Sequence, residues 1–177
     1  MEPKELWSLA ALVMVWYVAN LGFNVGMKRS HALMPDVLVL TTLQFGVGAV
    51  ALGVAWGFNA VRGPEFSRQT ALVWWSAALF FGGTLCTNVS LTLLSVSFAH
   101  VVKTLEPFFT VAIVYAWERT PPSCTSVLAL ALTAAGVLVA TSVQRKSAGK
   151  DSAFSAGLAV ALLANLFLQL RNVLNKR

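Results

Sequence analysis

The sequence predicts an all-α integral membrane protein with about six transmembrane helices. Of its 177 residues, 57% are hydrophobic and 11% are charged, with a mean hydropathy of +0.72, whereas about 25% of the residues in a typical soluble domain are charged. The charged residues stand far apart, and most of the runs between them reach the ~20 residues that cross a bilayer core. A β-barrel would instead show alternating segments of ~10 residues. The uncharged runs are 6–27, 37–61, 69–102, 107–117, 120–144 and 152–170.

The helices can be placed in order along these runs. The run 69–102 exceeds one span, so we expect a turn near residues 94–96 and then a new helix that takes in the run 107–117. Polar links at 28–35, 58–70, 118–124 and 144–152 separate the helices, and His31 falls in the first of them. The predicted spans are 6–27, 37–57, 71–93, 97–117, 125–143 and 155–174.

The charges and cysteines exclude several classes of protein. The net charge is +6, but the basic residues are spread over short loops and form no patch, which indicates membrane topology rather than nucleic-acid binding. Cys86 and Cys124 lie in apolar segments, so neither a disulfide nor a metal site is predicted. No catalytic triad, paired carboxylates or nucleotide-binding loop is visible, so we expect neither an enzyme nor a cofactor. No cleavable signal is recognisable before the first span, so any organelle address is expected to be internal or absent.

A short motif occurs twice in the chain. The sequence Asn-Val-x-x-Lys-Arg begins at Asn24, near the end of the first span, and again at Asn172, near the end of the sixth. Because five spans separate the copies, the second would enter the membrane in the opposite direction, as in the inverted repeats of secondary transporters. This predicts a first five-helix repeat at 1–148 and the first helix of an incomplete second repeat at 149–177. The alternative is that a short motif recurs by chance at two basic helix ends.

The fourth predicted span carries charges near its centre. In a helix over 97–117, Lys103 lies ~6 Å from the midpoint, and a charge at that depth usually faces a polar cavity. Glu106 is three residues further on and can reach the Lys103 ammonium, while His100 lies on the same face as Lys103. Pro107 has no N–H to bond the carbonyl of Lys103, so that carbonyl needs water, a ligand or a neighbouring side chain.

Two interpretations of Lys103 remain open. Glu106 neutralises it and the pair joins helices, or Lys103 is the cationic contact of an anionic solute. His100 is likewise either a hydrogen-bonded packing residue or part of the site.

Three further spans carry polar stripes at helical spacing. Small polar residues also join membrane helices, and for any one of them packing is the alternative explanation, as it is for Gly22 and Gly26. Taken with the fourth span, the stripes predict an aqueous cavity. Their residues are Asn20 and Asn24 in the first span, Thr84, Thr87 and Asn88 in the third, and Asn165, Gln169 and Asn172 in the sixth.

Two stretches resemble the plastid phosphate translocators of the drug/metabolite transporter superfamily. They are Thr87-Asn88-Val89-Ser90 and the run 96–109, Val-Ser-Phe-Ala-His-Val-Val-Lys-Thr-Leu-Glu-Pro-Phe-Phe. The first span resembles the first helix of that family through Trp16, Tyr17, Asn20, Phe23, Asn24 and Lys28. Residues 167–176, with Gln169 and Arg-Asn-Val-Leu, resemble the phosphoenolpyruvate/phosphate members more than the triose-phosphate members.

The resemblance implies a ten-helix antiporter of two inverted five-helix halves in the plastid inner envelope. It would exchange a phosphorylated C3 metabolite, such as phosphoenolpyruvate or triose phosphate, for inorganic phosphate. Lys103 would contact the phosphate with Thr87 beside it, and Thr84 stands where triose-phosphate members have a histidine. The predicted substrate-binding residues are therefore Lys103, Thr87, Thr84, Asn88, His100 and Asn24, with Glu106 and Pro107 as charge partner and structural residue.

Other functions stay open at this stage. The family's remaining phosphate-binding cations lie in a second half that the sequence does not include, so the chain would be a fragment, a truncated non-transporting membrane protein, or one subunit of a homodimer. A nucleotide-sugar carrier of the Golgi or endoplasmic reticulum has the same fold and is the alternative transporter.

Overall fold

The computed structural model describes residues 3–34, 36–60, 70–148 and 151–176, which form seven α-helices and no strand. Six helical stretches within this part of the chain are long and apolar enough to cross a membrane, because α4 and α5 together form one span. The all-α fold with six spans is thereby confirmed. The helices are α1 Pro3–Leu33, α2 Val37–Gly57, α3 Thr70–Leu93, α4 Val96–Lys103, α5 Glu106–Glu118, α6 Cys124–Ala148 and α7 Asp151–Leu174.

The first, fifth and sixth spans are longer than predicted, and residues 144–148 of the predicted last link belong to α6. Helix α1 continues to Leu33, so the prediction that His31 lies in a loop is wrong. Residues 27–34 contain no proline or glycine that would end the helix, and Pro35 then disfavours helical backbone at the residue before it. Asp36 then starts α2 by accepting hydrogen bonds from the backbone N–H groups of Leu38 and Val39, at 3.0 and 3.2 Å. Most of the predicted link at 58–70 lies outside the described residues, as do positions 149 and 150 of the last link.

The fourth span is not the single helix predicted over 97–117. It breaks between α4 and α5, where the N–H groups of Thr104 and Leu105 bond the carbonyls of Val101 and Val102 at 3.2 and 3.1 Å. These are the tighter i to i+3 bonds of a 3₁₀ turn. Pro107 falls in the first turn of α5, a position that requires no N–H donor, and this explains why the break precedes it.

A side chain of α7 stabilises this break. Asn165, which is 1% exposed, donates from Nδ2 to the carbonyl oxygen of Val102 at 2.9 Å. Pro107 was predicted to leave the carbonyl of Lys103 without its helical donor. The carbonyl that receives the Asn165 amide belongs to Val102, so this contact does not test that prediction.

Helix α7 is the most buried span and packs antiparallel along α3. A Cβ atom on Gly83 would lie 2.8 Å from Cγ of Leu168, and one on Gly157 would lie 2.9 Å from Cβ of Leu93. Such short distances show that these two positions need glycine for the close approach of the helices. Beside this contact, the apolar core consists of Leu94, Phe98, Val102, Phe154 and Ala161.

Helices α1 and α2 expose most of their apolar side chains, as expected for surfaces that face lipid. The structure does not use the predicted small-residue face of α1, since a Cβ atom on Gly22 or Gly26 would have no neighbour within 4 Å.

An even number of spans places both termini on one side of the membrane. In a background without the native cysteines (Cys86→Ser and Cys124→Ser), single cysteines at positions 2 and 177 should react with an impermeant maleimide from the same face of sealed vesicles. A cysteine introduced at Phe58, an exposed residue after α2, serves as the matched control because it should label with the termini. Labelling of the two termini from opposite faces would contradict the six-span arrangement.

Candidate binding site around Lys103

Lys103 ends α4 at the helix break and is half-buried. It lines a cavity of about 700 Å³ between α1 and the α4–α5 segment. Polar residues of α1 and of the α4–α5 segment line this cavity, together with the exposed aromatic rings of Trp16 and Tyr17. The polar residues that line it are Asn20, Ser97, His100, Lys103, Thr104 and Glu106.

A second cavity, of about 430 Å³, lies on the α7 side of the same residues. Thr110 of α5 and the amides of Gln169 and Asn172 on α7 line it, together with Lys103 and Glu106. Lys103 therefore stands between two cavities within membrane-spanning helices. This is the position in which a charged side chain at membrane depth meets water or a polar ligand.

The charged residues that line the two cavities are Lys103 and Glu106. They are close enough to act on each other electrostatically. Within the described part of the chain, however, the structure shows no direct ion pair between Lys103 and a carboxylate. Glu106 and Gln169 line the α7-side cavity together.

Hydrogen bonds connect the α7 side of the site to α5. Thr110 Oγ1 donates to Gln169 Oε1 at 2.9 Å, and Asn172 Nδ2 donates to the same oxygen at 3.2 Å. Arg171 Nη2 donates to Asn172 Oδ1 at 2.9 Å, and its guanidinium carbon lies 4.6 Å from the ring centre of Phe80 on α3. This cation–π interaction holds the Arg171 guanidinium against α3.

Part of the predicted site comes together around the cavities. His100, Lys103 and Glu106 line the first cavity, and Pro107 lines the second. Asn24 is buried and does not line either cavity, but its Nδ2 donates to the carbonyl and side-chain oxygens of Asn20 at 2.8 and 2.7 Å.

The predicted residues of α3 lie elsewhere. The hydroxyls of Thr84 and Thr87 donate to carbonyls of their own helix, those of Phe80 and Gly83. Asn88 is 2% exposed and donates to Thr41 Oγ1 of α2 at 2.9 Å and to Gln44 Oε1 at 3.2 Å. None of the three lines either cavity. Their role in binding remains a prediction.

Two residues of this region were not foreseen. Thr110 lies one helical turn after Glu106, and that spacing was the available signal for it. Lys28 donates from Nζ to the carbonyl of Leu94, just after α3, at 2.6 Å. A cation at the carbonyl end of a helix is favourable, but a contact over 66 residues of sequence leaves no local pattern.

Membrane-spanning helices around polar cavities that contain a half-buried lysine are typical of solute transporters. Residues 7–177 match the model of the Triose-phosphate Transporter family, and the chain belongs to that family. The resemblance found in the sequence is thereby confirmed. The family is one of transporters and not of enzymes.

Curated relatives are similar to nearly the whole chain. It is 33% identical to phosphoenolpyruvate/phosphate translocator 1, chloroplastic, of Arabidopsis thaliana, over 98% of this chain and 41% of that protein. It is 32% identical to the triose phosphate/phosphate translocator, non-green plastid, chloroplastic, of Brassica oleracea var. botrytis, over 99% of this chain and 42% of that protein. The xylulose 5-phosphate/phosphate translocator of Arabidopsis thaliana is 28% identical over 92% of this chain. The chain thus spans about two fifths of these relatives' length, and their names agree with the predicted plastid location.

Proposed function

We propose that this chain forms the Lys103-containing part of a plastid-envelope carrier that exchanges a small phosphorylated metabolite for inorganic phosphate. The observation that carries the proposal is that Lys103 stands between two membrane-embedded cavities without a direct ion pair to a carboxylate of the described residues. A lysine ammonium is a compact point charge with three donors, which suits a phosphoryl group.

The neutral groups near Lys103 support the same ligand class. Thr104 and Ser97 line the cavity with it and can donate hydroxyl hydrogen bonds to phosphate oxygens. The named substrates of the relatives differ in their carbon skeletons but share the phosphoryl group. We therefore assign Lys103 to the shared group. We favour a phosphorylated C3 acid such as phosphoenolpyruvate, on the similarity of α7 to the phosphoenolpyruvate/phosphate members.

One cation does not balance a phosphate ester, which carries about −1.5 to −2 at pH 7. Moving such an anion into the membrane needs more than one lysine accompanied by Glu106. Since the chain spans about two fifths of its relatives, we expect additional cations from the part of the carrier that corresponds to their remaining length.

Exchange in liposomes tests this proposal. The chain alone should show little exchange of external labelled phosphate for internal phosphoenolpyruvate. The chain joined to the remaining segment of the Arabidopsis thaliana phosphoenolpyruvate/phosphate translocator should exchange well above empty liposomes. Efficient exchange by the chain alone would instead indicate a homodimer. Competition by UMP or GMP but not by phosphate would favour a nucleotide-sugar carrier.

A further inference from the structure

The helix break leaves the backbone carbonyls of Lys103 and Thr104 without donors. In a continuous helix, the carbonyl of Lys103 would accept from the residue at 107 and that of Thr104 from Phe108. Pro107 has no N–H, and the N–H of Phe108 bonds the carbonyl of Leu105 at 3.0 Å. No hydrogen bond from the described part of the chain reaches either carbonyl. At membrane depth such carbonyls need water or a ligand that carries a donor.

Three residues line both cavities, and they are Lys103, Thr104 and Glu106. The two unbonded carbonyls therefore belong to residues that the cavities share. Glu106 adds a half-buried carboxylate, which accepts hydrogen bonds but cannot donate them when it is ionised. The ammonium of Lys103 is a donor only. The shared wall of the cavities thus combines a cationic donor with several acceptors.

Inorganic phosphate matches both kinds of group. At neutral pH its bare oxygens accept hydrogen bonds, and it keeps at least one P–OH group, which donates. Sulfate has the same tetrahedral shape and the charge of monohydrogen phosphate, but it has no hydrogen to donate. Beside Glu106 it would bring like charges together without a hydrogen bond to offset their repulsion, and it would leave the acceptors unpaired. A site of this composition therefore favours phosphate through hydrogen bonding and not through charge.

We propose that Glu106 is a specificity-determining residue, which accepts the P–OH hydrogen bond of inorganic phosphate while the Lys103 ammonium binds the bare oxygens. The carbonyls of Lys103 and Thr104 are further acceptors for P–OH groups. This inference deepens the proposed function and rests on it, because it takes Lys103 as the phosphate contact. It also gives a reason for a carboxylate in an anion site, since Glu106 disfavours anions without a proton, such as sulfate.

Four tetrahedral anions test the inference on the carrier completed with the remaining segment of its relative. Phosphate and arsenate carry an O–H group at neutral pH, whereas sulfate and selenate do not. The measurement is the anion concentration that gives half of the maximal rise in the thermal unfolding midpoint. Sulfate and selenate should need about tenfold or more the concentration of phosphate, the effect of one hydrogen bond to a charged group. Arsenate and selenate are close in size, so a difference between them reports the hydrogen and not the volume.

Glu106→Gln should remove most of this discrimination. Glutamine has nearly the shape of glutamate, carries no charge and offers an NH₂ donor to a bare oxygen. The ratio of the sulfate to the phosphate concentration should therefore fall several-fold, chiefly through tighter binding of sulfate. Glu118→Gln is the matched control, because Glu118 is an exposed carboxylate at the far end of α5 that lines neither cavity. It should keep the parental ratio.

Equal protection of the parent by all four anions would overturn the inference and leave phosphate binding, and with it the proposed function, intact. This comparison needs no variant, so the test stands even if Glu106→Gln does not fold. An unchanged ratio in Glu106→Gln would also overturn the assignment to Glu106. Selective protection by phosphate and arsenate without exchange in liposomes would remove the proposed carrier function and leave the inference standing. Protection by none of the four anions would overturn both.

Discussion

The Lys103→Gln/Glu106→Gln double variant should fold as stably as the parent and lose both phosphate exchange and phosphate-dependent thermal stabilisation. Lys103 and Glu106 are half-buried, line the cavities and form no direct ion pair with each other. Replacing both with neutral glutamine leaves no uncompensated charge, so it should cost little stability. A ligand raises stability only through its affinity for the folded state, and about 2.7 kcal/mol is expected at a hundredfold excess over Kd. Without the ammonium of Lys103, this stabilisation by phosphate should disappear.

The measurement is a thermal scan with and without phosphate, on the carrier completed with the remaining segment of its relative, followed by liposome exchange. Arg29→Gln is the matched control, because Arg29 is an exposed cation of α1 outside both cavities. It should keep the parental response to phosphate. If phosphate protects the double variant as strongly as the parent, Lys103 is a structural residue and the site has been misassigned.

The six spans were predictable because they depend on composition. A helix needs ~20 consecutive apolar residues to cross a bilayer. The distances between charged residues in the sequence show where such runs lie. The helix break at Thr104 was harder to predict from the sequence. Pro107 signals a disturbance, but a mid-membrane proline either kinks or breaks a helix depending on what satisfies the freed backbone. Here Asn165 provides a donor from 63 residues away.

The candidate site could be predicted where placing a single side chain inside the membrane costs much free energy. A charge in a membrane helix calls for a polar environment, so Lys103, Glu106 and their neighbour His100 could be placed at a cavity. Periodicity identifies a polar face but not what that face contacts. Asn88 has the same spacing signal as Asn20, yet Asn88 bonds to α2 while Asn20 lines the cavity.

The position of α7 beside the site depends on glycine. Gly83→Ala should destabilise the chain, whereas Gly22→Ala should leave its stability unchanged or raise it. Alanine gains about 0.5–1 kcal/mol over glycine inside a helix. At Gly22 nothing lies within 4 Å of the added Cβ, so only this gain remains. At Gly83 the Cβ would lie 2.8 Å from Cγ and Cδ2 of Leu168, and overpacking of this kind typically costs about 1–3 kcal/mol.

Unfolding midpoints of the two variants in the same detergent compare the effects directly, and Leu168→Ala gives a further check. Combined with Gly83→Ala it should cost less than the sum of the two single changes, because it removes the atoms that clash. Since Gln169 follows Leu168, the displacement of α7 in Gly83→Ala should also weaken the bond between Thr110 and Gln169, two residues that line the α7-side cavity. Equal shifts for Gly83→Ala and Gly22→Ala would show that α3 and α7 do not approach as closely as the structure has them.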